Sequence, residues 1–114
     1  MTKIIIQETD QRRATIDGFD VPLAAIPHEF FDFLKIVAMG AKKYAMNNWL
    51  EPNGKKSSEK DMHDSMGHHW AESMVIGKEA IDKDSKLDPL LHLACRALML
   101  YTRRQRGIVH EEDK

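Results

Sequence analysis

The chain predicts an all-α fold: a small bundle of about three to four helices, with a short extended or hairpin segment at the front, assembled as a homo-oligomer. Three observations carry that expectation. Residues 27–106 hold three segments with apolar residues at helical spacing, separated by stretches rich in Gly, Pro, Asn and Ser. The β-branched run Ile4-Ile5-Ile6 lies in the first 24 residues, which read unlike the rest. The 114 residues amount to a single domain, 1–114.

Residues 1–24 are expected to be the extended arm or hairpin, with a turn at Asp17-Gly18 between Ala14-Thr15-Ile16 and Phe19-Asp20-Val21. From Pro27, a suitable first helical residue, a dense apolar segment runs to about Asn47 through Phe30, Phe31, Leu34, Val37 and Tyr44. It is apolar almost all round, which predicts a sandwiched helix. Residues 51–58 are a loop. Ser58, with Asp61 three residues on, resembles a capping box and opens a helix from about Glu59 to Ile76. Gly77 ends or bends it. Asp88 as N-cap before Pro89 starts a last helix to about Arg106, with Gly107 as its stop. There Leu87, Leu90, Leu91, Ala94, Ala97, Leu98 and Tyr101 form one stripe, and His92, Arg96, Met99 and Arg103 the opposite one. The tail 107–114 is expected to fray.

Composition narrows the function classes. Seventeen basic residues against eighteen acidic ones supply no electrostatic footprint for nucleic acid or an anionic membrane. The single cysteine, Cys95, excludes an internal disulfide framework and fits a reducing compartment. No run approaches a membrane span, and the first apolar run is too short for a secretory signal. The expectation is therefore a cytoplasmic protein. Its length leaves little chain for a private deep pocket. Two helices apolar nearly all round are hard for one copy to cover, which predicts a dimer or tetramer.

Polar chemistry concentrates between Asp61 and His92. Residues 59–88 hold eight acids against four bases. If the helix continues through Gly77, His69, Glu72, Glu79 and Asp82 fall within about 140° of one face. Glu79 and Asp82, three apart, suit a hard divalent cation, and nearby imidazoles suit Mn²⁺ better than Mg²⁺. The plainer alternative is a solvated face beside Lys78 and Lys83, with His69 and His92 as hydrogen-bonded side chains at helix contacts. Arg103, Arg104 and Arg106 read as charges favourable to a helix C-terminus, and Cys95 as a small core residue. His63-Asp64 is an HD dipeptide, a weak sign of a metal phosphohydrolase, for which His28 and Asp82 are nominal further ligands. There is no glycine-rich phosphate loop and no CxxC pair.

Two blocks say more: Gly40-Ala41-Lys42-Lys43-Tyr44-Ala45-Met46-Asn47-Asn48-Trp49, and His68-His69-Trp70 followed by Gly77-Lys78-Glu79-Ala80-Ile81-Asp82-Lys83-Asp84-Ser85 and His92-Leu93-Ala94-Cys95-Arg96. Over residues 22–106 they resemble the dATP/dGTP diphosphohydrolase N-terminal-domain family of phages and bacteria, akin to the all-α nucleoside triphosphate pyrophosphohydrolases. The chain departs from the family pattern at His68, Lys86, Pro89 and Arg96, where arginine, glycine, histidine and asparagine are usual. The resemblance implies Mg²⁺- or Mn²⁺-dependent hydrolysis of a purine deoxynucleoside triphosphate to the monophosphate and pyrophosphate, in the bacterial or phage-infected cytoplasm. It implies His69, Glu79 and Asp82 as catalytic residues, and Glu72, Glu79, Asp82 and His92 as metal ligands, with Asp84 a possible addition. Lys43, Tyr44, Asn48, Trp49 and Arg96 are the implied substrate-binding residues. Two other readings stand beside it: an HD-type phosphohydrolase using His63 and Asp64, and a nucleotide sponge or helical interaction protein without turnover.

Overall fold

The computed structural model describes residues 4–6, 13–22 and 29–114. The expected helix start at Pro27, the nominal ligand His28 and the Tyr44 side chain lie outside the described residues. Contacts within the chain group it into two units, residues 1–31 and 32–114.

The first unit holds an antiparallel sheet of β1 (Ile4–Ile6), β2 (Arg13–Ile16) and β3 (Phe19–Pro22), in the order β1-β2-β3. The expected turn is present. Ile16 pairs with Phe19, so Asp17-Gly18 is a two-residue hairpin loop. Both residues have positive φ, 48° and 86°, as the tight turns favoured by twisted hairpins require. The sheet has one strand more than a hairpin, since Ile5 pairs with Thr15.

The second unit is helical, and the all-α bundle expected of the chain's body is what forms. Helix α1 covers Phe30–Tyr44, α2 Glu59–Ile76 and α3 Pro89–Gln105. The start signals act where expected. Ser58 Oγ accepts the Asp61 N–H, and Asp88 Oδ1 accepts the Leu90 N–H. Helices α2 and α3 pack against each other around fully buried Met62 and nearly buried Cys95 and Leu100. The α1 helix ends earlier than residue 47, because Ala45 and Asn47 enter left-handed conformations, at φ 79° and 62°. A 3₁₀ turn, Asn48–Leu50, follows.

Helix α2 stops at Ile76 as expected, because Gly77 takes φ 80° and ψ −149°, and the chain continues as a 3₁₀ turn, Gly77–Glu79. Two features differ from expectation. The tail does not fray. The Glu111 N–H donates to Asn53 Oδ1, the Glu59 N–H to Asp113 Oδ2, and His110 is buried. Helix α3 is turned unlike an ordinary surface helix. Its polar stripe faces inward, with Arg103 only 2% exposed, while Leu90, Leu98 and Tyr101 of the apolar stripe are 45%, 51% and 60% exposed.

Arg103 explains how the inward turn is tolerated. Its guanidinium donates to the carbonyls of Trp49, Glu51 and Pro52 at 2.7–2.8 Å, so a buried cation serves as the hub of the 48–58 loop. The same loop needs Gly54, where an added Cβ would lie 2.1 Å from the Asn48 carbonyl oxygen.

Candidate functional site

The α2–α3 pair positions the site. On α2, His69 and Glu72 are three residues apart and share a face, so His69 Nδ1 lies 3.2 Å from Glu72 Oε1. His68 Nε2 approaches the same oxygen at 3.1 Å. On α3, His92 stands level with them, its ring stacked on that of His69 with centroids 4.8 Å apart. Asp82 reaches them from the connecting segment, 3.6 Å from His92 Nε2.

That connection is a compact knot. Asp82 Oδ2 accepts the N–H groups of Asp84 and Ser85, an Asx-type turn. The Asp82 N–H donates to the Leu87 carbonyl, and the Lys86 N–H donates to the Asp82 carbonyl. Ser85 Oγ accepts the Leu87 N–H and lies 2.7 Å from His92 Nε2. Lys86 is left-handed at φ 63°, a conformation that suits glycine, the residue the family pattern places there.

One ligand atom each from His69, Glu72 and Asp82 lies within 4.8 Å of the others, the arrangement of a potential metal centre. Burial works to raise the pKa of Asp82. Hydrogen bonds from Ser85 and Asp84 and the adjacent His92 outweigh it and hold the carboxyl below its usual range. Burial lowers the pKa of His92; Asp82 opposes this, while His69 and Arg96 reinforce it. An ionised carboxylate beside an imidazole that resists protonation is the state in which both can ligate.

The group opens on a cleft of about 370 Å³, a volume within the range of small-molecule sites. Lys43 from α1, Trp49 and Lys55 from the loop, Lys83 beside Asp82, and Arg96 from α3 line the same cleft. Arg96 stands one turn beyond His92 on α3, so acceptors and cations share the cleft.

The expected site residues divide accordingly. The structure brings together His69, Glu72, Asp82 and His92, and lines the same cleft with Lys43, Asn48, Trp49 and Arg96. Asn48 already has a structural task, since its amide donates to the Lys55 carbonyl and accepts the Lys55 N–H. Arg96 Nη1 donates to the Lys56 carbonyl at 3.3 Å. Glu79 is not brought in. The expectation carried the helical phase through Gly77, and the break there leaves Glu79 exposed on the 3₁₀ turn. Asp84 lines the cleft but stays outside the three-ligand group. His63 and Asp64 are exposed on α2, paired with Glu59 and Lys60 of their own helix, so the HD dipeptide does not join the site.

Sequence reasoning missed Lys55 and the roles of Ser85 and Arg103. The Asp82-Lys83-Asp84-Ser85 run carries an Asx-turn signal that points to Ser85. Nothing local distinguishes Arg103 from its neighbour Arg104.

A helical pair that gathers two carboxylates and two imidazoles at a cleft also lined by Lys43, Lys55 and Arg96 is chemically suited to a polyanion accompanied by a divalent cation. The chain belongs to the dATP/dGTP diphosphohydrolase N-terminal family, whose model matches residues 8–113. Comparison with curated proteins and with solved structures returns no match. No described helix is long and apolar enough to cross a membrane.

Proposed function

We propose that this chain hydrolyses a purine deoxynucleoside triphosphate, dGTP or dATP, to the monophosphate and pyrophosphate. The convergence of His69, Glu72 and Asp82 at the cationic cleft carries this reading, and family membership supplies the substrate class. The donor set fits a divalent cation. Glu72 and Asp82 offer hard oxygens, while His69 and the adjacent His92 offer nitrogens, a mixture better suited to Mn²⁺ than to Mg²⁺. When bound, such an ion supplies charge neutralisation of the phosphates and a lowered pKa for bound water.

The chain's own groups take the remaining tasks. Lys43 and Arg96, both lining the cleft, hold phosphate oxygens, Lys43 as a point charge and Arg96 as a planar donor. Trp49 offers a face for a base. His92, restrained by Ser85, and His69, restrained by Glu72, are kept in fixed orientation beside Asp82. Either can accept a proton from water aimed at the phosphate chain.

The test is product analysis. Purified protein with MnCl₂ or MgCl₂ is expected to convert dGTP or dATP to monophosphate and pyrophosphate, measured by ion-exchange chromatography and ³¹P NMR. Asp82→Asn should lower the rate at least ~100-fold while leaving the far-UV circular dichroism unchanged. Release of triphosphate or of single phosphates would overturn the reaction, and binding without any turnover would leave a nucleotide sponge.

A further inference from the structure

The loop between α1 and α2 is tied down along its length. Arg103 takes the carbonyls of Trp49, Glu51 and Pro52, the tail's Glu111 N–H donates to Asn53 Oδ1, and Arg96 Nη1 donates to the Lys56 carbonyl. At its centre Asn48 holds Lys55. Asn48 Nδ2 donates to the Lys55 carbonyl at 2.9 Å, and Asn48 Oδ1 accepts the Lys55 N–H at 3.1 Å. One side-chain amide thus pairs with both backbone groups of one residue, as a neighbouring strand would. Buried Ser57 donates to the same Lys55 carbonyl at 3.4 Å. Gly54, the residue before Lys55, lies against the Asn48 carbonyl with no room for a Cβ.

The side chain carried on this fixed backbone is an unpaired cation. Lys55 is exposed and lines the cleft, and among the described residues no carboxylate pairs with its ammonium. Other cations nearby differ. Lys83 lies between Asp82 and Asp84, whose charges offset its own. Arg96 commits Nη1 to the Lys56 carbonyl and to Met62 Sδ. Lys56, next in the chain, takes a left-handed backbone at φ 61° and does not line the cleft. Asn48, for its part, has both ends of its amide engaged, and an amide reads a base edge with both ends.

We infer that Lys55 is a phosphate-binding residue of the cleft, and that Asn48 is the positioning residue that fixes it rather than a contact to base or sugar. The inference rests on the nucleoside triphosphate reading of the cleft. A lysine that binds a ligand gives up backbone and side-chain freedom; here the backbone share is already lost on folding, which favours binding. A compact ammonium on a flexible stem suits the oxygens of a phosphate chain, whose negative charge exceeds what one divalent cation neutralises.

Calorimetry with MnCl₂ and α,β-imido-dGTP, in which the bond to be cleaved is blocked, reads binding apart from turnover. Lys55→Met, at an exposed position, should weaken binding about tenfold or more, and Lys55→Arg should stay within about threefold of wild type. The loss should shrink between about 0.05 M and 0.5 M NaCl, because salt screens an exposed charge. Asn48→Ala should weaken binding in the same salt-dependent way. Combined with Lys55→Met it should add nothing to the loss from Lys55→Met alone. No binding by the wild-type chain, or wild-type binding by Lys55→Met, overturns the phosphate role of Lys55. Losses that multiply in the double variant make Asn48 a direct contact, and an Asn48→Ala loss that persists at high salt marks collapse of the loop; either overturns its positioning role. Lys55-dependent binding without turnover of any nucleotide would sink the hydrolytic reading and leave this one standing. Turnover of dGTP with KM unmoved in Lys55→Met would do the reverse.

Discussion

The inner and outer faces of α3 are made of the residues that periodicity alone would place the other way round. Arg103 points inward and is buried, while Leu98 and Tyr101 point outward and are exposed. Arg104, one residue on, is exposed and paired with Glu59 of α2. The comparison separates polarity from exposure. A cation can be interior when fixed acceptors surround it, and apolar residues at helical spacing can be exterior.

Removing the interior cation is the strongest way to break the contrast. Arg103→Met keeps the length of the side chain but leaves the carbonyls of Trp49, Glu51 and Pro52 without their donor. The expected loss is about 3–5 kcal/mol of unfolding free energy, read from urea denaturation. Arg103→Lys should recover only part of it, because an ammonium cannot reproduce the planar fork. A loss under about 1 kcal/mol for the methionine variant would mean that the loop holds without its hub.

His92 tests the inward face through pH. Its pKa is lowered by burial, so the native state takes up a proton less readily than the unfolded chain, where histidine titrates near 6.5. Stability is therefore complete above that value and lost as pH falls through the lower native value. Asp82, also lowered, adds a loss in the same direction below about pH 4. Thermal melting in EDTA should show a falling transition temperature between pH 7 and 5, and His92→Asn should flatten it. An unchanged slope in the variant would place the acid sensitivity elsewhere.

Local chemistry made much of this fold legible. The Ser58 and Asp88 caps mark where α2 and α3 begin, and Asp17-Gly18 marks the hairpin, because each signal acts within four residues. Of the site, His69, Glu72, Asp82 and His92 were readable, although Asp82 arrives by the Asx turn rather than by a continuous helix. Glu79 stands apart from that group because one glycine backbone angle ends the helical phase. The docked tail and the hub of Arg103 were not readable: their partners lie more than 50 residues away in sequence. The orientation of α3 was not readable either, since periodicity shows that a helix has two faces and not which one the rest of the chain will cover.

The smallest effect is expected at the outer arginine. Arg104 donates to both carboxylate oxygens of Glu59, but both side chains are about half exposed, and solvent and salt screen the pair. The hydrogen bond from Arg104 lowers the pKa of Glu59 against a smaller opposing effect of burial. The pair's stabilisation is therefore present above about pH 4.3, the ordinary glutamate value, and fades as pH falls through the lower native one. Glu59→Gln should leave the melting temperature at pH 7 and 0.15 M salt within measurement scatter, and should soften only the limb below pH 4. A change as large as that of Arg103→Met would mean that exposure does not separate the two arginines. Identical guanidinium groups one residue apart would then owe their weight to position in the helix rather than to what surrounds them.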